Sequence, residues 1–252
     1  MVYVNHIILQ GEDNMRDLGG FIGKDGKRVL YRKLFRSGEL SKLSDSDKDT
    51  LLSLGIEQII DLRLDSERNE AQDNIPPNIT SFHLPLISDI DGESGDRATV
   101  LAKIIDGGMT TDELMFPIYS TIDSLKENNW NKIFNLLESN KTSLWHCTEG
   151  KDRAGMTTVL VLFSLGVDRD TIIKDYMTSN SYLANYIDEN VKYMNTNYGE
   201  GVGEKLRPLL GVKKEYILAF LNAVDKKYGS MDAFLKKLDV DITKMQTNYL
   251  EK

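Results

Sequence analysis

SLWHCTEGKDRAGMTTVLVLFSLG, residues 143–166, decides how the rest of the chain is read. Residues 143–147 are a short apolar run that follows the polar turn ESNKT, and they predict a buried strand. Residues 154–166 are apolar on nearly every side and close on Gly166, which predicts a buried helix. Residues 147–153 then form a loop between a strand end and a helix N-terminus. In an open α/β sheet, ligands bind at the carboxyl ends of strands. The first turn of a helix leaves backbone N–H groups unpaired and carries a positive partial charge, so it holds anions readily.

The flanking segments support an α/β fold with a largely parallel central sheet flanked by helices. RVLYRKLFRSG (28–38) is rich in strand formers and ends at Gly38. KLSDSDKDTLLSLG (42–55) has an N-cap candidate in Ser44, apolar residues at helical spacing and a closing glycine. IEQIIDLR (56–63) and TSFHLPL (80–86) read as further strands. Residues 88–116 read as a loop, a short helix and another loop, and 195–212 as a glycine-rich surface excursion. Residues 213–238 read as two amphipathic helices split at Gly229, their apolar stripe serving core packing. With no repeat, low-complexity tract or linker, one domain over residues 1–252 is expected.

Bulk properties narrow the function. The 252 residues are 40% hydrophobic and 28% charged, as in an ordinary globular protein, and the net charge of −8 disfavours nucleic acid as a partner. No apolar run is long enough to span a bilayer and no signal peptide is visible, so cytoplasm or, after processing, the exterior is expected. An acidic protein that acts on an anion needs a local positive pocket, which draws attention to the loop again. Cys147 is the one cysteine, which rules out an internal disulfide. A helix N-terminus, Arg153 and Lys151 would each lower its pKa, so a thiolate at neutral pH is expected. Gly150 allows the loop to curl into a nest of N–H groups, and the planar fork of Arg153 can bridge two phosphoryl oxygens. The reaction this suits is in-line attack of sulfur on phosphorus, followed by hydrolysis of a phosphocysteine. The leaving oxygen needs a proton, for which Asp152 in the loop and Asp61 at a strand end are the two candidates. His146 is expected to steady the loop through backbone hydrogen bonds. Asp61 is otherwise expected to pair with Arg63, and Arg16 and Arg36 to be solvated surface charges. DIDGES (89–94) starts like a calcium loop but lacks the glycine at its sixth position.

HCTEGKDRAG (146–155) resembles the His-Cys-x5-Arg signature of cysteine-dependent protein tyrosine phosphatases. Its Gly-Lys-Asp-Arg variant is similar to bacterial members related to the Listeria lipid phosphatase and the mycobacterial secreted phosphatase. NMRDLGG (14–20), LFRSGELSKLS (34–44), IDLRLDSER (60–68) and FHLPL (82–86) follow in the order of that group. The resemblance implies a tyrosine-phosphatase-like fold and a phosphate-binding loop of Thr148, Glu149, Gly150, Lys151, Asp152 and Arg153. It implies Cys147 as nucleophile, Arg153 as clamp and Asp152 as general acid, with no metal or organic cofactor. The implied substrates are phosphorylated proteins, on tyrosine and also serine or threonine, or phosphoinositides, for which Lys151 would add charge; a monomer is expected. It also gives Arg16 and Arg36 a place near the floor of the site. Two positions depart from the pattern. Ala154 replaces a Ser or Thr whose hydroxyl would help the thiolate depart, a role that leaves Thr157 or Thr158 as substitutes. Glu149 replaces a small residue. The first departure raises the alternative of a weakly active or inactive phosphate-loop binding module. Sulfur or arsenate chemistry on a related cysteine loop is a further rival, disfavoured by loop length and by the lack of other cysteines.

Overall fold

The computed structural model describes residues 5–87, 97–121 and 125–252, without the side chains of residues 97–100. The calcium-like stretch 89–94 lies outside the described residues, as does the start of the 88–116 segment. Five strands form one sheet: β1 (Arg16–Asp17), β2 (Leu34–Ser37), β3 (Gln58–Asp61), β4 (Thr80–His83) and β5 (Ser143–His146), in the order β1-β2-β5-β3-β4. β1 is antiparallel to β2 at one edge, and the remaining pairs are parallel. Ser37, His146, Asp61 and His83 stand level across the parallel strands, so the residues after them emerge from one carboxyl edge. β5 lies in the middle of that row, and the 147–153 loop therefore opens at the centre of the edge.

Alternation along the strands sorts the apolar residues onto two faces. Phe35, Ile59 and Leu144 join a smaller core with Leu51 of α1 (Asp45–Ser53). Leu34, Ile60 and Trp145 join the main core, with Trp130, Ile133, Phe134 and Leu137 of α5 (Glu127–Leu137) and most of α6 (Arg153–Ser164). α6 is buried on almost every side because it lies between the sheet and a further layer. That layer holds α7 (Arg169–Tyr182), α10 (Lys214–Tyr228), α11 (Met231–Lys237) and α12 (Ile242–Tyr249). Ser44 caps α1 as expected: its hydroxyl accepts from the Asp47 N–H at 3.2 Å, and the Asp47 carboxylate accepts from the Ser44 N–H at 3.0 Å. Gly229 ends α10 in a left-handed conformation, and the apolar stripes of α10 and α11 pack into the main core.

Two expectations are corrected. The 88–116 segment contains not only α3 (Arg97–Ile105) but also the start of α4 (Thr111–Ser120), in a stretch read as loop. Thr110 and Glu113 form a capping box there, a Thr-x-x-Glu signal that outweighs the neighbouring glycines. The 195–212 segment is mostly helical. It carries the end of α8 (Ala184–Tyr198) and all of α9 (Val202–Leu210). Gly203 there is a packing residue, since a Cβ would lie 2.2 Å from the Val191 carbonyl oxygen. The short α2 (Asp65–Glu70) completes the helices that bear on the site.

Arg16 and Arg36 are also corrected: both are buried. Asp175 of α7 joins them, its Oδ1 accepting from Arg16 Nε at 2.9 Å and its Oδ2 from Arg36 Nη1 at 3.0 Å. Burial and the like charge of Arg16 pull the Arg36 pKa down to about 10, while Asp175 opposes them, so Arg36 remains charged at neutral pH. Removing one partner from such a group leaves uncompensated buried charge. Asp175→Ala is therefore expected to lower stability by about 3–5 kcal/mol in urea denaturation, whereas an unchanged midpoint would show the two guanidiniums to be solvated.

Candidate active site

The loop after β5 is held by its carbonyl groups. The Thr148 carbonyl accepts from the Glu39 N–H at 2.9 Å, and the Glu149 carbonyl from Asn14 Nδ2 at 2.9 Å. Arg36 Nη2 donates to the carbonyls of Gly150 at 2.6 Å and Lys151 at 3.2 Å, and the Asp152 carbonyl accepts from Met156 in α6 at 2.8 Å. In a trans peptide the N–H points opposite to its carbonyl, and the chain contains no cis bond among the described residues. The N–H groups of Glu149, Gly150, Lys151, Asp152 and Arg153 are therefore turned away from these anchors. That is the geometry of an anion nest. Gly150 adopts φ 68°, and a Cβ there would lie 2.3 Å from the Ser37 carbonyl oxygen, so glycine is required both by conformation and by space.

Cys147 and Arg153 stand at the two ends of this loop and both are buried. The expectation of a lowered thiol pKa is corrected. Burial pushes the Cys147 thiol up, Arg153 and the Ala154 N–H pull it down, and Asp152 and Glu149 add to the rise. The Arg153 fork is occupied by a carboxylate. Its Nη1 pairs with Glu67 Oε2 and its Nη2 donates to Glu67 Oε1 at 2.7 Å. Thr148 closes the ring, its hydroxyl donating to Glu67 Oε1 at 2.5 Å and accepting from Arg153 Nη2 at 3.1 Å. Burial raises the Glu67 pKa, but Arg153, Thr148 and the Leu64 N–H outweigh it and hold the carboxyl at about 2.

Asp152 precedes the first residue of α6 and receives a hydrogen bond from the Tyr119 hydroxyl. Lys151 is buried, with Nζ donating to the carbonyls of Leu209 and Gly211 at the end of α9, the latter at 3.3 Å. Its side chain is thus committed to α9, while its backbone N–H stays among those of the loop. Thr157 and Thr158 are also committed elsewhere. The Thr157 hydroxyl accepts from Trp130 Nε1 at 3.2 Å; that of Thr158 accepts from Trp145 Nε1 at 3.1 Å and donates to the Ala154 carbonyl at 2.7 Å. Neither replaces the hydroxyl missing at Ala154.

Residues 7–251 match the tyrosine phosphatase family. The chain belongs to that family. A Cupriavidus necator sequence whose name places it among tyrosine-protein phosphatases is 30% identical over 94% of this chain and 85% of its own length. The triple specificity protein phosphatase PtpB of Mycobacterium tuberculosis is 28% identical over 95% of both chains. Among solved structures, Pseudomonas aeruginosa TpbA covers 77% of this chain and 89% of its own at 14% identity, with a TM-score of 0.33, a superposition too loose to bear on function.

Beside the loop, the phosphatase carries a buried charge cluster. Arg63 Nε and Nη2 each donate to Asp61 at 2.9 Å, and Nη2 also donates to Asp73 at 2.8 Å. Burial raises the Asp61 pKa, yet Arg63 and His146 bring it below the ordinary carboxylate value. Asp61 is therefore the arginine partner it was expected to be, and as a deprotonated, doubly engaged carboxylate it is a poor proton donor. His146 Nε2 lies 3.0 Å from Asp73 Oδ2, and Nδ1 lies 3.4 Å from the Cys147 carbonyl oxygen. Asp61, Asp73 and His146 have ligand atoms within 4.8 Å of one another, but Arg63 already supplies a cation to both carboxylates. Among the described residues of the phosphatase, no helix is long and apolar enough to cross a membrane.

Glu67, Tyr119, Asp175 and Glu12 escape sequence reasoning because their partners lie far along the chain. Glu12 Oε1 accepts from the N–H groups of Gly38 at 2.5 Å and Asn14 at 2.8 Å, next to the anchors of Thr148 and Glu149, while its Oε2 is buried without a partner. Burial pushes its carboxyl up to about 7, against the N–H groups of Gly38 and Asn14. A folded-state pKa above the unfolded value favours folding at low pH, and that contribution is lost as pH rises through about 7. Glu12→Gln is expected to raise the melting temperature relative to wild type at pH 8 and not at pH 5; equal shifts at both would exclude the linkage. Glu67→Gln removes the anion that shares the Arg153 charge. The Cys147 thiol should then ionise at lower pH, as read from the pH dependence of its alkylation by iodoacetamide.

Proposed function

We propose that this phosphatase hydrolyses phosphotyrosine through a phosphocysteine intermediate, with Cys147 as nucleophile, Arg153 as phosphoryl clamp and Asp152 as general acid. The observation that carries the reading is the run of loop carbonyls tied down by Glu39, Asn14, Arg36 and Met156, which turns the N–H groups of residues 149–153 away from those anchors, in a loop that begins at a sulfur and ends at a guanidinium. Such a cradle matches the three equatorial oxygens of a phosphoryl group in transfer.

In the first step the ionised sulfur attacks phosphorus. The S–P bond forms, the P–O bond to the leaving group breaks, and the departing oxygen takes the Asp152 proton. In the second step water attacks phosphorus and gives a proton to the Asp152 carboxylate. The S–P bond breaks, leaving inorganic phosphate and a thiolate. Arg153 supports this chemistry through a planar fork that already holds a carboxylate, itself a planar oxyanion, in a two-point geometry. Exchange of Glu67 for a phosphoryl group at that fork accompanies substrate binding. The raised thiol pKa makes ionisation of Cys147 a part of the barrier, and bound charge beside Arg153 sets how large a part.

Phosphoserine, phosphothreonine and phosphoinositides are further substrates within this reading, supported by the triple specificity relative. Since Lys151 is held by α9, a second ring phosphate would be met by Lys151 only after those carbonyls release it. With Thr157 and Thr158 turned into the core, nothing replaces the hydroxyl absent at Ala154, so slow hydrolysis of the intermediate is the feature that would shade this enzyme toward a binding module.

Cys147→Ser is expected to abolish phosphate release from p-nitrophenyl phosphate while retaining vanadate binding. Persistent release would remove Cys147 from the chemistry. Asp152→Asn is expected to slow phenyl phosphate by about 100-fold or more and p-nitrophenyl phosphate far less, because the better leaving group needs no proton. A panel of phosphopeptides and individual phosphoinositides then ranks the substrate classes.

A further inference from the structure

We propose that Tyr119, backed by Tyr176, is a positioning residue that directs the proton of Asp152 onto the carboxyl oxygen facing the leaving group. The inference rests on the reading of Asp152 as general acid and goes beyond it, because it names the group that orients that acid.

Tyr119 of α4 and Tyr176 of α7 are both buried, and they meet beside the first turn of α6. The Tyr119 hydroxyl donates to Asp152 Oδ1, and the Tyr176 hydroxyl lies 2.8 Å from that of Tyr119. Each phenol has one proton. Once the Tyr119 proton is committed to Asp152, the Tyr176 proton must fill the 2.8 Å contact with the Tyr119 oxygen. The chain therefore runs in one direction, from Tyr176 through Tyr119 to Asp152. Burial raises both phenol pKa values well above the ordinary range, and Asp152 adds to the rise, so both phenols keep their protons as donors.

With Oδ1 accepting from Tyr119, the acid proton is left to Oδ2. Among the described residues, the groups that face this carboxyl leave Oδ2 without a competing donor. Lys151 Nζ stands 3.9 Å from it, beyond hydrogen-bonding distance, and is held by the carbonyls of Leu209 and Gly211. From α10, Tyr216 stacks on Tyr119 with centroids 5.6 Å apart, but its hydroxyl donates to Asp112 at 2.6 Å, where Lys213 also pairs. Cys147, on the same loop, interacts with Asp152 through space. The two tyrosines lie in helices that are distant in sequence from the loop, so the acid is oriented by the packed helical layer and not by the loop itself.

Tyr119→Phe keeps the ring and removes the donor. With phenyl phosphate, kcat should fall about tenfold, with little change in KM and little change for p-nitrophenyl phosphate. Tyr176→Phe, one step further out, should lower kcat for phenyl phosphate in the same selective way by less, and serves as the second variant if Tyr119→Phe does not fold. In the Asp152→Asn background, Tyr119→Phe should leave the ratio of the two substrates unchanged. Equal losses on both substrates would reduce Tyr119 to a packing residue and overturn the proposal. If Asp152→Asn itself shows no dependence on the leaving group, the general-acid reading fails; if it does and Tyr119→Phe does not, only the positioning role fails.

Discussion

A buried guanidinium governs the shape of the loop. Arg36 reaches from the middle of β2 to two successive carbonyls, those of Gly150 and Lys151, and Asp175 holds its other terminal nitrogen. Taking a guanidinium out of water is costly unless its donors are matched. The two terminal nitrogens are matched by a carboxylate on α7 and by loop carbonyls, while Nε is left buried without a partner among the described residues. One constraint thereby joins the sheet, the loop and the helical layer. Because carbonyl and N–H directions are opposed in each peptide, fixing the first also fixes the second. The loop can face an anion with its N–H groups because something charged and immovable holds its carbonyls from behind.

The electrostatics around the loop follow from the same economy of buried charge. Arg16 and Arg36 share Asp175, Arg63 lies between Asp61 and Asp73, and Arg153 is matched by Glu67. Three of these carboxylates, Asp61, Glu67 and Asp175, are held below their ordinary pKa despite burial, because the partner's charge outweighs the loss of water. Glu12 has only backbone N–H groups for close partners, and burial wins there. Cys147 lies between these cases: it has Arg153 and a helix-start N–H in its favour, but two acids of its own loop and complete burial against it. The cations at the carboxyl edge are thus paired with acids, and the net charge of −8 is not offset by a free positive patch there among the described residues.

Much of this was legible in the residues. The strands over 56–63, 80–86 and 143–147 and the helix after Arg153 stand where their apolar patterns put them, trimmed by a few residues at the ends. Ser44 and Gly229 cap as their residue types demand. The failures have physical causes. α4 was obscured by Gly107, Gly108 and Pro117, although Thr110 and Glu113 spell its capping box. The glycines before α9 suggested a loop, yet Gly203 is small so that α8 and α9 can approach closely. The thiol was expected to be acidic because cations near it in sequence were counted while burial could not be.

The amino-acid order by itself determined the local chemistry: which loop joins strand to helix, which residue there can be a nucleophile, which can grip two oxygens, and that Gly150 lets the loop bend. Backbone preference and side-chain functional groups act within a few residues, and a single stretch contains all they need. Tertiary structure alone decided the charge states and directions. Arg16 and Arg36 became buried anchors, Lys151 turned to α9, Glu67 occupied Arg153, and Tyr119 took hold of Asp152. Each depends on a partner remote along the chain and on the water that folding removes, and neither quantity is written in the neighbours of a residue.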